Sequence, residues 1–572
     1  MYRVDDIDFQ LNPMSKFSLK DGKETTYAEY YEKKYNKKLN DTTQPLILNM
    51  DKKRKDGTKI YLVPELCVLT GQSNEMRQNF TLQKDLNRKI KPNPQQRLEE
   101  SQKLVELFKS NPKTKEMLDK WSISIGVNPV SVDASKLDAG NLMMGNNNKF
   151  PLETTQDIDR RIQNQMLDQV PIRKIAVFCS SRDKEICSSF MDTLRKCVET
   201  FQYPMQAPKE FFIDGRNYED WERSFNKVLD PSVQAVILLL PGKKKAAPFY
   251  DDCKKFLLTK CPIPSQVVLI PTIQAGKNLR SIINKILIQI CAKVGGTPWA
   301  VTDFPFINEP TMVVGIDVFH KTAMKQDSLL AFCATVNIHF SRYWSTIDLH
   351  RPGEEIGKGI QNAVVNSLKA FKEVNHGRFP SRIIVYRDGV SDSQRKTLEE
   401  IEVKAFYRAF DELVASNQLE SKPELIFICV NKRMTAKFFS GDNVQKSGIG
   451  NPDQGTVVNE EITTGRDFYL ISQKTTQGSA APAHYYVLSY CTNVDKSYVE
   501  HSGDIPQEVM QNIQLFTYKL CYMYYNWSGS IKVPAPIQYA HKLSNLIGDR
   551  WRPNDQMIPH KAFEQYKSLY FI

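Results

Sequence analysis

The chain lacks any apolar run approaching the roughly 20 residues that a membrane-crossing helix needs, its longest being stretches such as "AVILLL" (235–240). A membrane-spanning role is therefore not expected. Its first residues, "MYRVDDIDFQ", contain no charged segment followed by an apolar one, so secretion is not expected either. The 11 cysteines are odd in number and show no paired CxxC spacing. That usage excludes a disulfide framework and a cysteine zinc site, and it suits free thiols in a reducing compartment. Strong charge bias is missing too. With 77 basic and 65 acidic residues the net charge is +12, which favours polyanionic partners only mildly.

At 572 residues the chain exceeds a single ordinary core, and its length suggests roughly three or four domains. Residues 1–90 mix a Tyr-rich stretch, "TTYAEYYEKKYNKK", with the strand candidates "PLILNM" and "KIYLVPELCVL" and a turn at "KDG" (55–57), which reads as a small α+β module. Residues 91–165 carry one amphipathic helix followed by polar connecting chain and read as a linker. From 166 to 300 apolar strands ("KIAVFCS", "AVILLLP", "QVVLIP") alternate with helical segments, the pattern of a parallel sheet covered on both faces. Ligands of such sheets sit outside the strand C-termini. Residues 301–572 begin with strands ("MVVGIDV", "LLAFCATVNIHF") and then alternate strands and helices.

In this last segment two apolar strands end in a carboxylate: Asp317 closes "VVGID" and Asp388 closes "IIVYRD". Taken singly, a strand-end Asp is an ordinary helix cap or turn former. Two of them could lie at one sheet edge, and paired carboxylates are what oxygen-preferring Mg²⁺ or Mn²⁺ require for phosphodiester hydrolysis.

The motifs "VVGIDVFHK", "SRIIVYRDGVSDSQ", "GTVVNEEIT", "APAHYYVLSY" and "VPAPIQYAHKLSNLIG" closely resemble the PIWI domain of Argonaute proteins. "YRVDDIDFQLNP", "LVPELCVLTG" and "YYNWSGSIKVPAPIQYAHKL" place the resemblance in the PIWI clade, and it extends over essentially the whole chain. It implies a multidomain α/β protein with part of a PAZ barrel (1–90), a linker (91–165), a Rossmann-like MID domain (166–300) and an RNase H-like PIWI domain (301–572). It also implies that the chain starts inside PAZ and lacks the N domain.

Position by position, the resemblance puts a catalytic tetrad on Asp317, Glu355, Asp388 and His541, with Glu354 as the competing glutamate. Without it, Glu355 reads as a solvated acidic residue near a helix start and His541 as a helix histidine. The implied chemistry is two-ion hydrolysis of RNA, with Asp317, Asp388 and His541 as ligands. The guide 5′-phosphate would be held by Tyr250, Lys254, Gln266 and Lys293, an aromatic ring, two ammonium groups and an amide. Read alone, Tyr250 and Lys254 share a helix face that could be merely solvated. Gln289 and the terminal Ile572 would ligate a further ion in that pocket, and the loop "PGKKKAAPFY" (241–250) would select the first guide base. Tyr30, Tyr31 and Tyr61 would stack the guide 3′ end, although tyrosine-rich faces are commonly core.

The resemblance therefore implies an endoribonuclease directed by a small, piRNA-like guide RNA against complementary target RNA. Partner silencing proteins, a monomeric state, and residence in cytoplasmic granules or the nucleus follow from the same likeness. A guide-loaded adaptor that recruits partners without cutting is the alternative, and a DNA-directed effector on the same fold is a third.

Overall fold

The structure, a computed structural model, describes residues 4–19, 22–50, 59–68, 71–72, 76–77, 79–152, 155–215, 217–242, 250–274, 278–320, 328–350, 356–441, 448–494, 497–548 and 559–572. The chain forms two compact units, Met1–Lys91 and Pro92–Ile572. The turn expected at 55–57 lies outside the described residues.

In the first unit, strands Asp6–Asp8, Leu46–Met50 and Lys59–Leu62 form an antiparallel sheet with Leu46–Met50 in the middle. A hairpin of Lys16–Ser18 with Glu24–Thr26 feeds directly into the helix Tyr27–Tyr35. Thr26 caps that helix by accepting from the Glu29 N–H, and Asn36 ends it in the left-handed conformation that Asn tolerates.

The second unit contains two sheets that matter for function. The first is wholly parallel. Strands β1 (Ile175–Ser180), β2 (Lys209–Ile213), β3 (Ala235–Leu240) and β4 (Ser265–Leu269) lie in the order β2-β1-β3-β4. Helices α1 (Lys184–Thr200), α2 (Tyr218–Val228), α3 (Tyr250–Thr259) and α4 (Leu279–Lys293) cover it. All six residues of β3 are buried because both faces are occupied. Ile237 and Leu239 face a core shared with α1 and α4, whereas Val236, Leu238 and Leu240 meet Trp221, Phe225 and Phe256.

The second sheet carries the carboxylates. Its strands are β5 (Thr311–His320), β6 (Ser328–Thr335), β7 (Tyr343–His350), β8 (Arg382–Asp388), β9 (Glu424–Asn431), β10 (Thr456–Val458), β11 (Asp467–Ile471) and β12 (Ala483–Val494). They lie in the order β7-β6-β5-β8-β9-β12-β11-β10, and a further strand, Ser497–Glu500, pairs with β12. β5, β8 and β9 run parallel, β6 pairs antiparallel with β5, and β7 pairs antiparallel with β6 and so runs in the direction of β5. This is the strands-first, then alternating arrangement expected of an RNase H-like fold. On one face Ile383 and Val385 pack under α5 (Ile356–Val374) and α6 (Lys404–Ala415). On the other, Val313, Ile384 and Tyr386 meet α7 (Gln507–Leu520) and α8 (Ala535–Gly548).

The reading of 91–165 as one helix plus connecting chain needs correction. Pro94–Ser110 and Pro112–Lys120 are separate helices, each capped by an Asn side chain with Pro at its first position. Pro112 lacks an N–H and restrains Asn111 to extended backbone, which breaks what periodicity reads as one segment. Beyond them, Ser135–Lys136 joins the edge of the large sheet beside β10, and Asn141–Met143 pairs with both Lys149–Pro151 and Ala300–Val301. Among the described residues no helix is long and apolar enough to cross a membrane.

Candidate active site

Strand register brings the two aspartates together. β5 and β8 are adjacent and parallel with Ile316 opposite Arg387, so one step further places Asp317 beside Asp388. Alternation then turns both carboxylates toward the face covered by α8. They are 8% and 5% exposed.

Gly315, two residues before Asp317 on the same face, lets α8 dock directly on the strand. A Cβ there would lie 2.1 Å from the Pro536 carbonyl oxygen and 2.7 Å from the Ile537 nitrogen. This close approach delivers His541 and Ser544, three apart and so on one helix face, to Asp317. His541 Nδ1 is 3.2 Å from Asp317 Oδ2, and the Ser544 hydroxyl donates to the same oxygen at 2.5 Å. Asn545 Nδ2 stands 3.1 Å from His541 Nε2. As a donor it makes Nε2 the acceptor and leaves Nδ1 to donate to Asp317. The Lys432 ammonium, just past the end of β9, pairs with Asp388 Oδ2 at 2.5 Å.

The two carboxylates differ electrostatically. Burial opposes charge on Asp317, but hydrogen bonds from His541 and Ser544 outweigh it and hold the carboxyl below its ordinary range. At Asp388 burial prevails over the Lys432 charge, and nearby Asp317 adds repulsion, so its carboxyl is raised. One ligand atom from each of Asp317, Asp388 and His541 lies within 4.8 Å of the others. Asp388 Oδ1 is buried without a hydrogen-bond partner. Two carboxylates, an imidazole and an orphaned carboxylate oxygen fit a divalent cation that takes oxygen and nitrogen ligands. Glu355 and its competitor Glu354 lie outside the described residues.

A second constellation lies at the start of β4. The Lys254 ammonium, from α3, donates to the Ser265 carbonyl at 3.0 Å and to the Ser265 hydroxyl at 2.9 Å. Lys293, at the end of α4, donates to the same carbonyl at 2.8 Å and to Gln266 Oε1 at 2.7 Å. Both lysines are buried, at 7% and 2% exposure. Burial, followed by repulsion from Lys254, pushes the Lys293 ammonium well below its ordinary range. Such a pair of desolvated amino groups suits an anion, whose charge would favour their protonated forms. Tyr250 opens α3 and packs half-buried against its core. Gln289 is half-buried on α4, and Ile572 packs against the large core. The C-terminal segment reaches the end of α4, where the Leu569 N–H donates to the Ala292 carbonyl at 3.2 Å. Residues 243–249 of the loop expected to select the first base are outside the described set.

In the first unit Tyr30 and Tyr31 meet edge to face with centroids 5.6 Å apart, and Tyr61 touches Tyr27 at 6.4 Å. Phe17 stacks on Tyr27 at 4.5 Å. The three tyrosines therefore belong to one aromatic cluster, with Tyr27 and Phe17 as members that sequence reasoning missed. It also missed Ser544, Asn545 and Lys432. The first two were open to detection as the neighbours of His541 on its helix face.

A family model described as the Piwi domain matches residues 235–552, more than half of the chain, and one described as the PAZ domain matches residues 1–92. The chain belongs to the Argonaute family, in its PIWI clade. This PIWI-clade chain is 32% identical over 577 residues to Piwi-like protein Ago3 of Bombyx mori, covering 98% of the chain and 59% of that protein. It spans about three fifths of the length of the curated relatives it matches. The crystal structure of Drosophila Piwi superposes with a TM-score of 0.74 at 29% identity, covering all of this chain and 72% of that one. Kluyveromyces polysporus Argonaute with a guide RNA shares the fold, with a TM-score of 0.69 at 19% identity over 90% of this chain and 65% of that one.

Proposed function

We propose that this PIWI-clade protein is a guide-RNA-directed silencing effector that cleaves complementary target RNA. The observation that carries the reading is the Asp317, Asp388 and His541 constellation with the buried, unpartnered Asp388 Oδ1. Asp317, Asp388 and His541 would hold Mg²⁺ or Mn²⁺, with Glu355 completing the set. When bound, two such ions activate water and stabilise the departing oxygen of a phosphodiester. The protein's own contribution is positional. Strand register sets the carboxylate spacing, Ser544 and His541 keep Asp317 ionised, and Lys432 offsets charge at Asp388.

Lys254, Lys293 and Gln266 would hold the guide 5′-phosphate with Tyr250 stacking on the first base. Gln289 and Ile572 would ligate an ion there, and the Tyr30, Tyr31 and Tyr61 cluster would receive the guide 3′ end. Base pairing supplies sequence selection, so the protein need only grip an A-form duplex through its backbone. The test is to load the purified protein with a 5′-phosphorylated guide and add Mg²⁺ and a complementary RNA. One cut at a fixed distance from the guide 5′ end, absent from Asp388→Ala, is expected. Tight guide and target binding with no Asp388-dependent product would leave the adaptor reading in its place.

A further inference from the structure

Beneath the carboxylates, on the opposite face of the sheet, lies a buried ion pair that the cleavage scheme does not use. Arg387 and Asp388 are successive residues of β8, so their side chains leave opposite faces. The Arg387 guanidinium enters the core beneath α5 and α6, where it is 8% exposed. It grips Glu402 bidentately, Nε at 2.8 Å from Oε2 and Nη2 at 2.9 Å from Oε1. Its remaining terminal nitrogen, Nη1, turns back to the Asp388 backbone carbonyl at 2.6 Å.

Glu402 is 4% exposed and sits in a π-helical turn, Glu399–Val403, between the helical segment Arg395–Leu398 and α6. The widened turn carries two consecutive buried residues, Glu402 and Val403. The carboxylate thus reaches the strand while Val403 still packs in the core. π-Helical turns are rare and concentrate at functional sites. A buried pair of this kind contributes little net stability compared with apolar residues of the same volume, so its presence calls for a positional explanation.

We propose that Arg387 and Glu402 are positioning residues, a clamp that fixes the backbone at Asp388 and so presets its carboxylate for a divalent cation. The proposal rests on the nuclease reading of that site. Neither residue touches substrate. Their action runs through the Asp388 carbonyl, from beneath, while Lys432 and Asp317 act on the carboxylate from above.

The experiment measures stabilisation of the protein against heat as Mn²⁺ is titrated, with no RNA present, alongside target cleavage. Wild type should be stabilised by Mn²⁺ and Asp388→Ala should not. Glu402→Gln and Arg387→Lys should raise the half-saturating Mn²⁺ concentration about 10- to 100-fold, the usual range for groups that orient metal ligands. Cleavage should fall at low Mn²⁺ and recover at high Mn²⁺, with guide and target affinities unchanged. The double variant Arg387→Met/Glu402→Leu fills the site with apolar volume and should melt near wild type, yet show the same weakened Mn²⁺ response. If it, or either folded single variant, responds to Mn²⁺ as wild type does, the clamp is wrong while the nuclease reading stands. If wild type shows no Asp388-dependent response, the nuclease reading and the clamp fall together.

Discussion

Replacing Gly315 with Ala should disable the site without touching a functional group. The added Cβ would sit 2.1 Å from the Pro536 oxygen and 2.2 Å from its carbonyl carbon, both backbone atoms at the start of α8. Ordinary contact begins near 3.4 Å, so α8 must retreat from β5 by about 1 Å. The retreat moves His541 and Ser544, each held to Asp317 by one hydrogen bond, off the carboxylate together. Overpacking of this kind lowers stability by roughly 1–3 kcal/mol. A displacement of about 1 Å in a reacting constellation lowers rate on the order of 100-fold. Single-turnover cleavage with a preloaded guide should show that loss, with guide affinity intact because Lys254 and Lys293 stand on helices α3 and α4, which cover the other sheet. Gly503→Ala is the control, since a Cβ there meets nothing within 4 Å. A Gly315→Ala protein that cleaves within about threefold of wild type would refute the docking argument.

Asp388→Asn should abolish cleavage, a loss on the order of 10⁴ or more. In the absence of metal, however, it should melt above wild type at neutral pH, because burial raises the Asp388 carboxyl and its ionised form opposes folding. A folded pKa above the unfolded one means this penalty is present at pH above the folded value and vanishes below the unfolded one. Melting curves should therefore converge as pH falls into the carboxylate range. Lys254→Ala should weaken 5′-phosphorylated guides about 10- to 100-fold, as loss of a charged hydrogen bond does, with little effect on 5′-hydroxyl guides. Equal losses for both would remove the pocket assignment. Because Lys293 is depressed in the free protein, a bound phosphate should raise it, and guide binding should take up protons above its free pKa. Calorimetry in two buffers of different ionisation enthalpy reads that uptake, and identical heats would contradict it.

Asp317 and Asp388 were legible as a pair, because two apolar runs each end in a carboxylate, although either one alone reads as an ordinary cap or turn former. His541 was legible only through the family resemblance, because nothing in "PIQYAHKL" itself distinguishes a ligand from an ordinary helix histidine until α8 is known to lie on Gly315. Lys432 required knowing that β9 is the neighbour of β8, information carried by long-range pairing and not by local pattern. Glu402 was hidden more deeply. A run such as "TLEEIEVKAF" reads as acidic solvent-facing helix, and only the π turn and the arginine on the adjacent strand make one of its glutamates internal. The break between the two linker helices was readable, since Asn-Pro occurs at both starts, but amphipathic periodicity ran across it.

The distance between the two carboxylates is not a property of any side chain. It is inherited from neighbouring strands in a hydrogen-bonded sheet, which lie about 4.8 Å apart in every protein. Mutation can delete an aspartate but cannot easily respace the pair, so the scaffold would permit loss of the proposed cation site far more readily than its gradual retuning.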